Sequence, residues 1–194
     1  MPQPIIIVDY DPDWPKLFEE LRTPIASVLG GLALTIEHVG STSVPGLAAK
    51  PIIDMDVVVE STSHIPPAIE RLATLGYVHE GNLGIPGREA FLWPPSTPRH
   101  HLYVCPRDSE ALRRHLSFRN YLIKHPDEAQ RYRLLKRELA EKFRNDREAY
   151  TNAKDEYIQA ITDLGLHDVG SDAILVMIED VTVPRSMTTG GDTF

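Results

Sequence analysis

The most informative part of the sequence is IEHVGSTSVPGLAAKPIIDMDVVV, residues 36–59. In residues 52–59 every residue except two aspartates is apolar, which predicts a strand in the interior of a sheet. Side chains two apart in a strand share a face, so Asp54 and Asp56 project together from it. Two neighbouring carboxylates are costly to desolvate unless a cation compensates their charge. The pair therefore predicts a hard divalent metal, Mg²⁺ or Mn²⁺; the alternative is a solvated pair at a sheet edge.

A turn of small and hydroxyl residues precedes this strand. Gly40 allows backbone N–H groups to approach an anion, and the hydroxyls of Ser41 and Ser43 can donate hydrogen bonds to phosphate oxygens. Taken alone, the pattern is also that of an ordinary serine-rich turn. Because the aspartate pair follows after a short connection, the combination predicts a phosphate-binding turn beside a metal-binding strand.

The rest of the chain divides into a half with strands and a half with helices. Hydrophobic patterning and breaker residues predict strands at residues 5–8, 32–39, 52–59, 77–80, 91–93 and 100–104, and helices at residues 13–29, 66–75, 109–124, 127–143 and 146–164. The expected fold is α+β, a mixed sheet with flanking helices followed by a C-terminal helical segment. We expect a sheet core at residues 1–108, a helical segment packed on it at residues 109–166, and a partly mobile extension at residues 167–194 with a strand-like run at residues 173–178.

Composition and charge exclude several classes of protein. With 42% apolar and 25% charged residues, the 194-residue chain has the composition of a globular protein. A net charge of −8 argues against a protein that grips long nucleic acid. The single cysteine, Cys105, cannot form an intramolecular disulfide, and the apolar run at residues 5–8 is too short for a signal peptide or a membrane span. We therefore expect a cytoplasmic protein without a long nucleic acid or a membrane as partner.

The Gly-Ser turn, spacer and Asp-x-Asp strand resemble the signature of the nucleotidyltransferase superfamily, the fold of DNA polymerase β. More closely, the chain resembles the GrpB family of predicted nucleotidyltransferases. The resemblance spans residues 5–165, and its matching segments are YDPDWP (10–15), HVGSTSVPGLAAKPIID (38–54), GIPGR (84–88), HHLYV (100–104) and HLSFRNYLIKHP (115–126).

The resemblance implies a metal-assisted reaction that transfers a nucleoside monophosphate from a nucleoside triphosphate to an unidentified acceptor, with release of pyrophosphate. It assigns the metal to Asp54 and Asp56 and the β and γ phosphates to the Gly-Ser turn. A third carboxylate usually assists from a neighbouring strand, yet residues 100–104 contain none. His101 in that strand can act as a metal ligand or general base, or can be a structural histidine. Glu89 is the nearest alternative for the missing acid.

Basic residues that can contact phosphates are spread along the chain. Lys50 can steer phosphates or pair with Asp54, and Arg88 can hold the leaving pyrophosphate or point into water. Residues 99–154 carry 14 Lys or Arg against 8 Asp or Glu, so the helical part is locally basic. In this part the basic side chains that best suit a nucleotide are Arg119, Lys124, Lys136 and Lys154, although most helical lysines are solvated.

Two functions follow from this reading. The first is an active Mg²⁺- or Mn²⁺-dependent nucleotidyltransferase that acts on a small-molecule or protein acceptor. The second is a nucleotide- or phosphometabolite-binding module that keeps the fold without efficient turnover, and the missing third carboxylate favours it.

Overall fold

A five-stranded mixed sheet forms the centre of the protein, in a computed structural model that describes residues 4–168. The strands lie in the order β1-β2-β5-β4-β3, in which β2 and β5 are parallel and the other neighbours antiparallel. The interior position of β2 confirms the prediction for the acidic strand. The strands are β1 (Ala33–Val39), β2 (Ile53–Val59), β3 (Val78–Gly81), β4 (Glu89–Leu92) and β5 (His100–Pro106).

Helices flank the sheet, two from the first half of the chain and three from the second. They are α1 (Trp14–Leu29), α2 (Ile65–Ala73), α3 (Glu110–Lys124), α4 (Pro126–Lys142) and α5 (Arg147–Asp168). This arrangement confirms the expected α+β fold with C-terminal helices. Within residues 4–168, no helix is both long and apolar enough to cross a bilayer.

The two faces of β2 meet different surroundings because alternate residues point in opposite directions. Met55 and Val57 pack with the buried residues of α1 and α2 in the main apolar core. On the opposite face, Val58 packs with Leu112 and Leu116 of α3. Asp54 and Asp56 share that second face, so the fold positions them under the three C-terminal helices rather than in the main core.

The helices α3 and α5 approach each other closely at Gly165. A Cβ atom at this position would lie 2.6 Å from the carbonyl oxygen of Ser117. The start of α3 is fixed by Ser109, whose side chain accepts a hydrogen bond from the N–H of Leu112. These contacts hold α5 beside α3 and so place the basic residues of α5 near the sheet.

The strand predicted at residues 5–8 is wrong. Among the described residues, Val8 makes an isolated antiparallel bridge with Ala49. Ile5 and Ile7 instead pack against the cluster around Tyr150 and the C-terminal part of α4. The β-branched run thus buries its apolar side chains on helices, which removes the need for a strand partner.

The predicted run at residues 173–178 lies outside the described residues, as does the extension from residue 169 onward. The division of the chain at residues 108 and 166 stays a prediction.

Candidate active site

Strand register brings the two aspartates and the predicted histidine together. In the parallel pair of β2 and β5, Asp54 lies across from His101 and Asp56 across from Tyr103. In the antiparallel pair of β1 and β2, Asp56 lies across from Glu37. All five side chains therefore belong to one face of the sheet.

Asp54 is held by a histidine on one side and a glycine on the other. Its Oδ1 lies 2.6 Å from Nδ1 of His101, and 28% of the side chain is exposed. Gly40 has φ +70°, and a Cβ atom there would collide with Oδ2 of Asp54. Gly40 thus makes room for the carboxylate itself, in addition to the phosphate role that the sequence predicts.

Asp56 is fully buried, with 0% of its side chain exposed. Its Oδ2 lies 2.7 Å from Nδ1 of His115 in α3, whereas no group of residues 4–168 hydrogen-bonds to its buried Oδ1. Burial by itself would lower the pKa of His115, but the Asp56 carboxylate outweighs burial and raises that pKa. His115 was not predicted as a site residue, although it begins one of the GrpB-like motifs.

The unpartnered oxygen of Asp56 bears on whether the two aspartates fit the expected metal. A buried carboxylate oxygen without a partner is costly, and a cation removes that cost. Within the described residues, no cluster of three or more His, Cys, Asp or Glu is arranged to bind a metal by itself. Mg²⁺ commonly takes one or two carboxylates and fills its other positions with water and substrate phosphates. Asp54 and Asp56 therefore fit a metal that is shared with a substrate.

A cavity of about 290 Å³ lies beside Asp54. Its walls come from the turn after β1, from β2 and β5, and from α4 and α5. Four cations line it, and none of them forms an ion pair with another residue of the described chain: Lys50, Lys136, Arg147 and Lys154. The cavity also includes Ser41 and His101, so it joins the predicted turn, metal strand and histidine.

The three lysines of this cavity have lowered pKa values. Burial, followed by repulsion from Lys154, Arg147 and Arg99, lowers the pKa of Lys50 to about 8. Burial and then Lys154 lower the pKa of Lys136, which is 2% exposed, well below its ordinary value. The pKa of Lys154 is lowered as well, mainly by burial. A bound polyanion would relieve both the repulsion and the desolvation of these ammonium groups.

Contacts with the neighbouring aromatic rings and the serine turn position the lysines. Nζ of Lys136 donates to Oγ of Ser41 at 3.0 Å. Nζ of Lys50 and Nζ of Lys154 lie 4.4 and 4.3 Å from the ring centre of Tyr150. These contacts place the three ammonium groups in the cavity without neutralising their charge.

Ser43 and Arg119, two of the predicted phosphate ligands, are engaged elsewhere. Oγ of Ser43 donates to the carbonyl oxygen of Gly40 at 2.6 Å, which closes the turn. Nη1 of Arg119 donates to Glu37 at 2.8 Å and to the carbonyl oxygen of His38 at 2.9 Å, because α3 passes directly over β1. Neither residue lines the cavity.

Arg88 lies over the ring of Tyr103, with Cζ 4.2 Å from the ring centre, and does not line the cavity either. Glu89 is no substitute for the third carboxylate, since it pairs in register with Val104, which belongs to the main core. Glu37, which sequence reasoning missed, supplies a third carboxylate on the correct face but is ion-paired with Arg119. Its signal in the sequence was its place directly before His38 in the strand preceding the turn.

Comparison with known proteins identifies the family of the chain. The sequence model described as GrpB protein matches residues 4–164. The chain belongs to the GrpB family. This confirms the family expected from the motifs.

Two relatives illustrate how much of a GrpB protein the chain contains. It is 37% identical over 153 residues to the UPF0157 protein YqkA of Bacillus subtilis, which covers 79% of this chain and 45% of YqkA. The chain thus spans less than half the length of that relative. The crystal structure of the conserved protein GrpB from Enterococcus faecalis has a TM-score of 0.77 and 36% identity, and covers 84% of this chain and 98% of that chain.

A solved nucleotidyl-polymerising protein is a distant structural match. The Cid1 poly(U) polymerase with MgGTP bound has a TM-score of 0.42 and 14% identity, and covers 64% of this chain and 45% of that chain. A likeness at this level does not by itself establish a shared activity.

Proposed function

We propose that this GrpB-family protein is a Mg²⁺- or Mn²⁺-dependent nucleotidyltransferase. It transfers a nucleoside monophosphate from a nucleoside triphosphate to an acceptor and releases pyrophosphate. The observation that carries the proposal is the position of Asp54, which shares a sheet face with Asp56 and lines a cavity with Lys50, Lys136 and Lys154. Asp54 and the cations line one cavity, while the fully buried Asp56 is not among its lining residues. A carboxylate beside several cations suits a triphosphate that carries its own divalent cation.

The carboxylate pair is the proposed metal site. Asp54 and Asp56 would hold the ion, which supplies charge neutralisation of the phosphates when bound. His101 and His115 each contact one oxygen of a different aspartate and so orient the pair. Oδ1 of Asp56, although buried, has no hydrogen-bond partner among residues 4–168 and is the oxygen that we assign to the ion.

The cations of the cavity are proposed to bind the phosphates. Lys154 and Arg147 repel Lys50, and Lys154 repels Lys136; a bound triphosphate would offset this repulsion. Ser41 accepts from Lys136 and keeps its own hydroxyl proton, which it can donate to a phosphate oxygen. The binding energy therefore comes from charged hydrogen bonds that the free protein does not make.

His101 is proposed to receive the acceptor's proton. An ionised carboxylate accepts hydrogen bonds and donates none, so Nδ1 of His101 carries the proton in its contact with Asp54. In the neutral ring Nε2 then holds a lone pair, which can take the proton of an acceptor hydroxyl or amine.

A second function is a nucleotide- or phosphometabolite-binding module with a regulatory or partner role. The observation that favours it is the ion pair between Glu37 and Arg119, which occupies the third carboxylate on the site face. In both functions the partner is a small polyanion, and we propose neither long nucleic acid nor a membrane as a partner.

To test the proposal, the protein is mixed with Mg²⁺ or Mn²⁺, a metabolite extract and each α-labelled nucleoside triphosphate in turn. Pyrophosphate release and transfer of the label are then measured. We expect release that disappears in Asp54→Asn and Asp56→Asn variants and persists in Asp127→Asn, an exposed control in α4. Metal-dependent nucleotide binding without release in any extract contradicts the enzyme and supports the binding module.

A further inference from the structure

A second cavity adjoins the cavity that Asp54 lines. It measures about 450 Å³ and lies between the N-terminal segment and the approach to β2. Lys50, Ile52 and Arg147 line both cavities, so the two spaces meet at these residues. A molecule in the second cavity would therefore lie next to a nucleotide in the first.

The lining of this second cavity combines three cations with an apolar wall. The cations are Lys50, Arg99 and Arg147, and the wall includes Ile5, Ile6 and Ile52. No Asp or Glu of the described chain contributes to the lining. An apolar pocket with a few convergent charged groups is the usual form of a small-molecule site, and here every charge is positive.

The two arginines of the cavity lack an acidic partner in the part of the chain that the structure describes. Among residues 4–168, neither Arg99 nor Arg147 forms an ion pair, and Arg99 lies 5.4 Å from the ring centre of Trp93. Lys50, Arg99 and Arg147 line this one cavity, and repulsion from the two arginines contributes to the lowered pKa of Lys50. Convergent, unpaired cations beside an apolar surface select a ligand that carries an anionic group on an apolar body.

We propose that the second cavity binds the acceptor, and that the acceptor is a small amphiphilic anion, a phosphate monoester or a carboxylate with an apolar body. This inference rests on the proposed nucleotidyl transfer. The anionic group lies against Arg99, the apolar body lies on Ile5 and Ile6, and the nucleophilic group faces Lys50 at the boundary between the cavities.

The transfer at this boundary balances without a further reactant. The acceptor's nucleophilic oxygen or nitrogen forms a bond to the α-phosphorus of the triphosphate, and the bond from that phosphorus to the bridging oxygen breaks. The electron pair of the broken bond leaves on pyrophosphate. The proton of a hydroxyl or amine nucleophile passes to His101 and then to water.

The test uses the full chain and four matched probes: hexyl phosphate, hexanoate, hexanol and inorganic phosphate. We expect hexyl phosphate or hexanoate to bind at least about tenfold more tightly than hexanol and inorganic phosphate, since the latter two each lack one half of the recognition. The amide signals of Ile5 and Ile6 in a ¹H–¹⁵N NMR spectrum should shift on titration. Arg99→Gln should weaken binding of the anionic probe about tenfold, whereas the exposed control Arg131→Gln should not.

A parallel titration with ATP and Mg²⁺ separates this inference from the proposed function. If ATP binds but the anionic probe binds no more tightly than hexanol, or saturating ATP abolishes its binding, the acceptor site is wrong and the nucleotide site stands. If the probe shifts Ile5 and Ile6 and depends on Arg99 but ATP fails to bind, the anion site stands and the nucleotidyltransferase does not. Equal probe binding in wild type and Arg99→Gln overturns the inference.

Discussion

Replacing Lys136 by methionine should make the protein more stable and its nucleotide binding weaker. Lys136 is 2% exposed, and burial lowers the pKa of its ammonium group well below the ordinary value. Its hydrogen bond to Ser41 and its contact with the ring of Tyr132, 4.5 Å from the ring centre, offset only part of this cost. A structural role alone therefore does not account for a charge at this position.

The size of both effects follows from this environment. Replacing a buried charged group by an apolar one of similar volume stabilises proteins by about 1–4 kcal/mol in favourable cases, and we expect the lower end because Ser41 loses a partner. About 1 kcal/mol corresponds to a rise in Tm of about 2–4 °C for a chain of this length. Loss of one charged hydrogen bond to phosphate, about 1.5–3 kcal/mol, should weaken nucleotide affinity roughly tenfold to a hundredfold.

The assay pairs thermal unfolding with calorimetric titration of ATP and Mg²⁺. Lys142→Met is the matched control, because Lys142 is exposed near the end of the same helix, and it should change neither quantity. A Lys136→Met variant that unfolds at a lower temperature and binds ATP as tightly as the wild type would show that Lys136 is structural and does not bind phosphate.

Three further outcomes follow from particular residues. Gly40→Ala should lower the free energy of unfolding by about 1–3 kcal/mol, because φ +70° and ψ −167° suit glycine. It should also abolish nucleotide binding, because the new Cβ displaces Asp54. The control Gly46→Ala, which has open space around the new Cβ, should keep binding. Affinity for ATP should fall by up to about tenfold per pH unit above about 8, as Lys50 loses its proton, and Lys50→Arg should flatten this dependence. Gly165→Ala should lower Tm, because contact with the Ser117 carbonyl outweighs the helix propensity of alanine; a higher Tm would show that α3 and α5 can separate.

The part of the fold that local sequence determines was predictable. The acidic strand β2 is apolar on both faces apart from its aspartates, so its interior place in the sheet follows from its own residues. The run at residues 5–8 has an equally strand-like composition, but its partners are helical residues far along the chain. Such long-range packing leaves no local pattern, which is why the predicted strand was wrong.

The candidate site divides in the same way. Asp54, Ser41, Lys50 and His101 lie in or next to short motifs, and the structure brings them to one cavity. Among the helical lysines, Lys136 and Lys154 line this cavity, but Lys124 instead pairs with Asp168 at 3.0 Å. All three lysines were predicted to suit a nucleotide. The sequence does not show which of them line the cavity, because a helical pattern does not reveal which face of the helix packs over the sheet.

The ion pair between Arg119 and Glu37 shows a second reason why part of the site could not be predicted. Residue type and motif membership favoured a phosphate ligand, yet β1 carries an acid at the point where α3 crosses it. Ion-pair partners separated by 82 positions in the chain cannot be matched from one sequence.

Binding of Mn²⁺ together with ATP, followed by electron paramagnetic resonance, tests the central claim that the carboxylate pair and the lysine-lined cavity form one metal–nucleotide site. We expect ATP to increase Mn²⁺ affinity in the wild type, and Asp54→Asn and Lys136→Met each to weaken the ternary complex at least about tenfold. ATP binding that is unchanged by removal of the metal and by Asp54→Asn would contradict it.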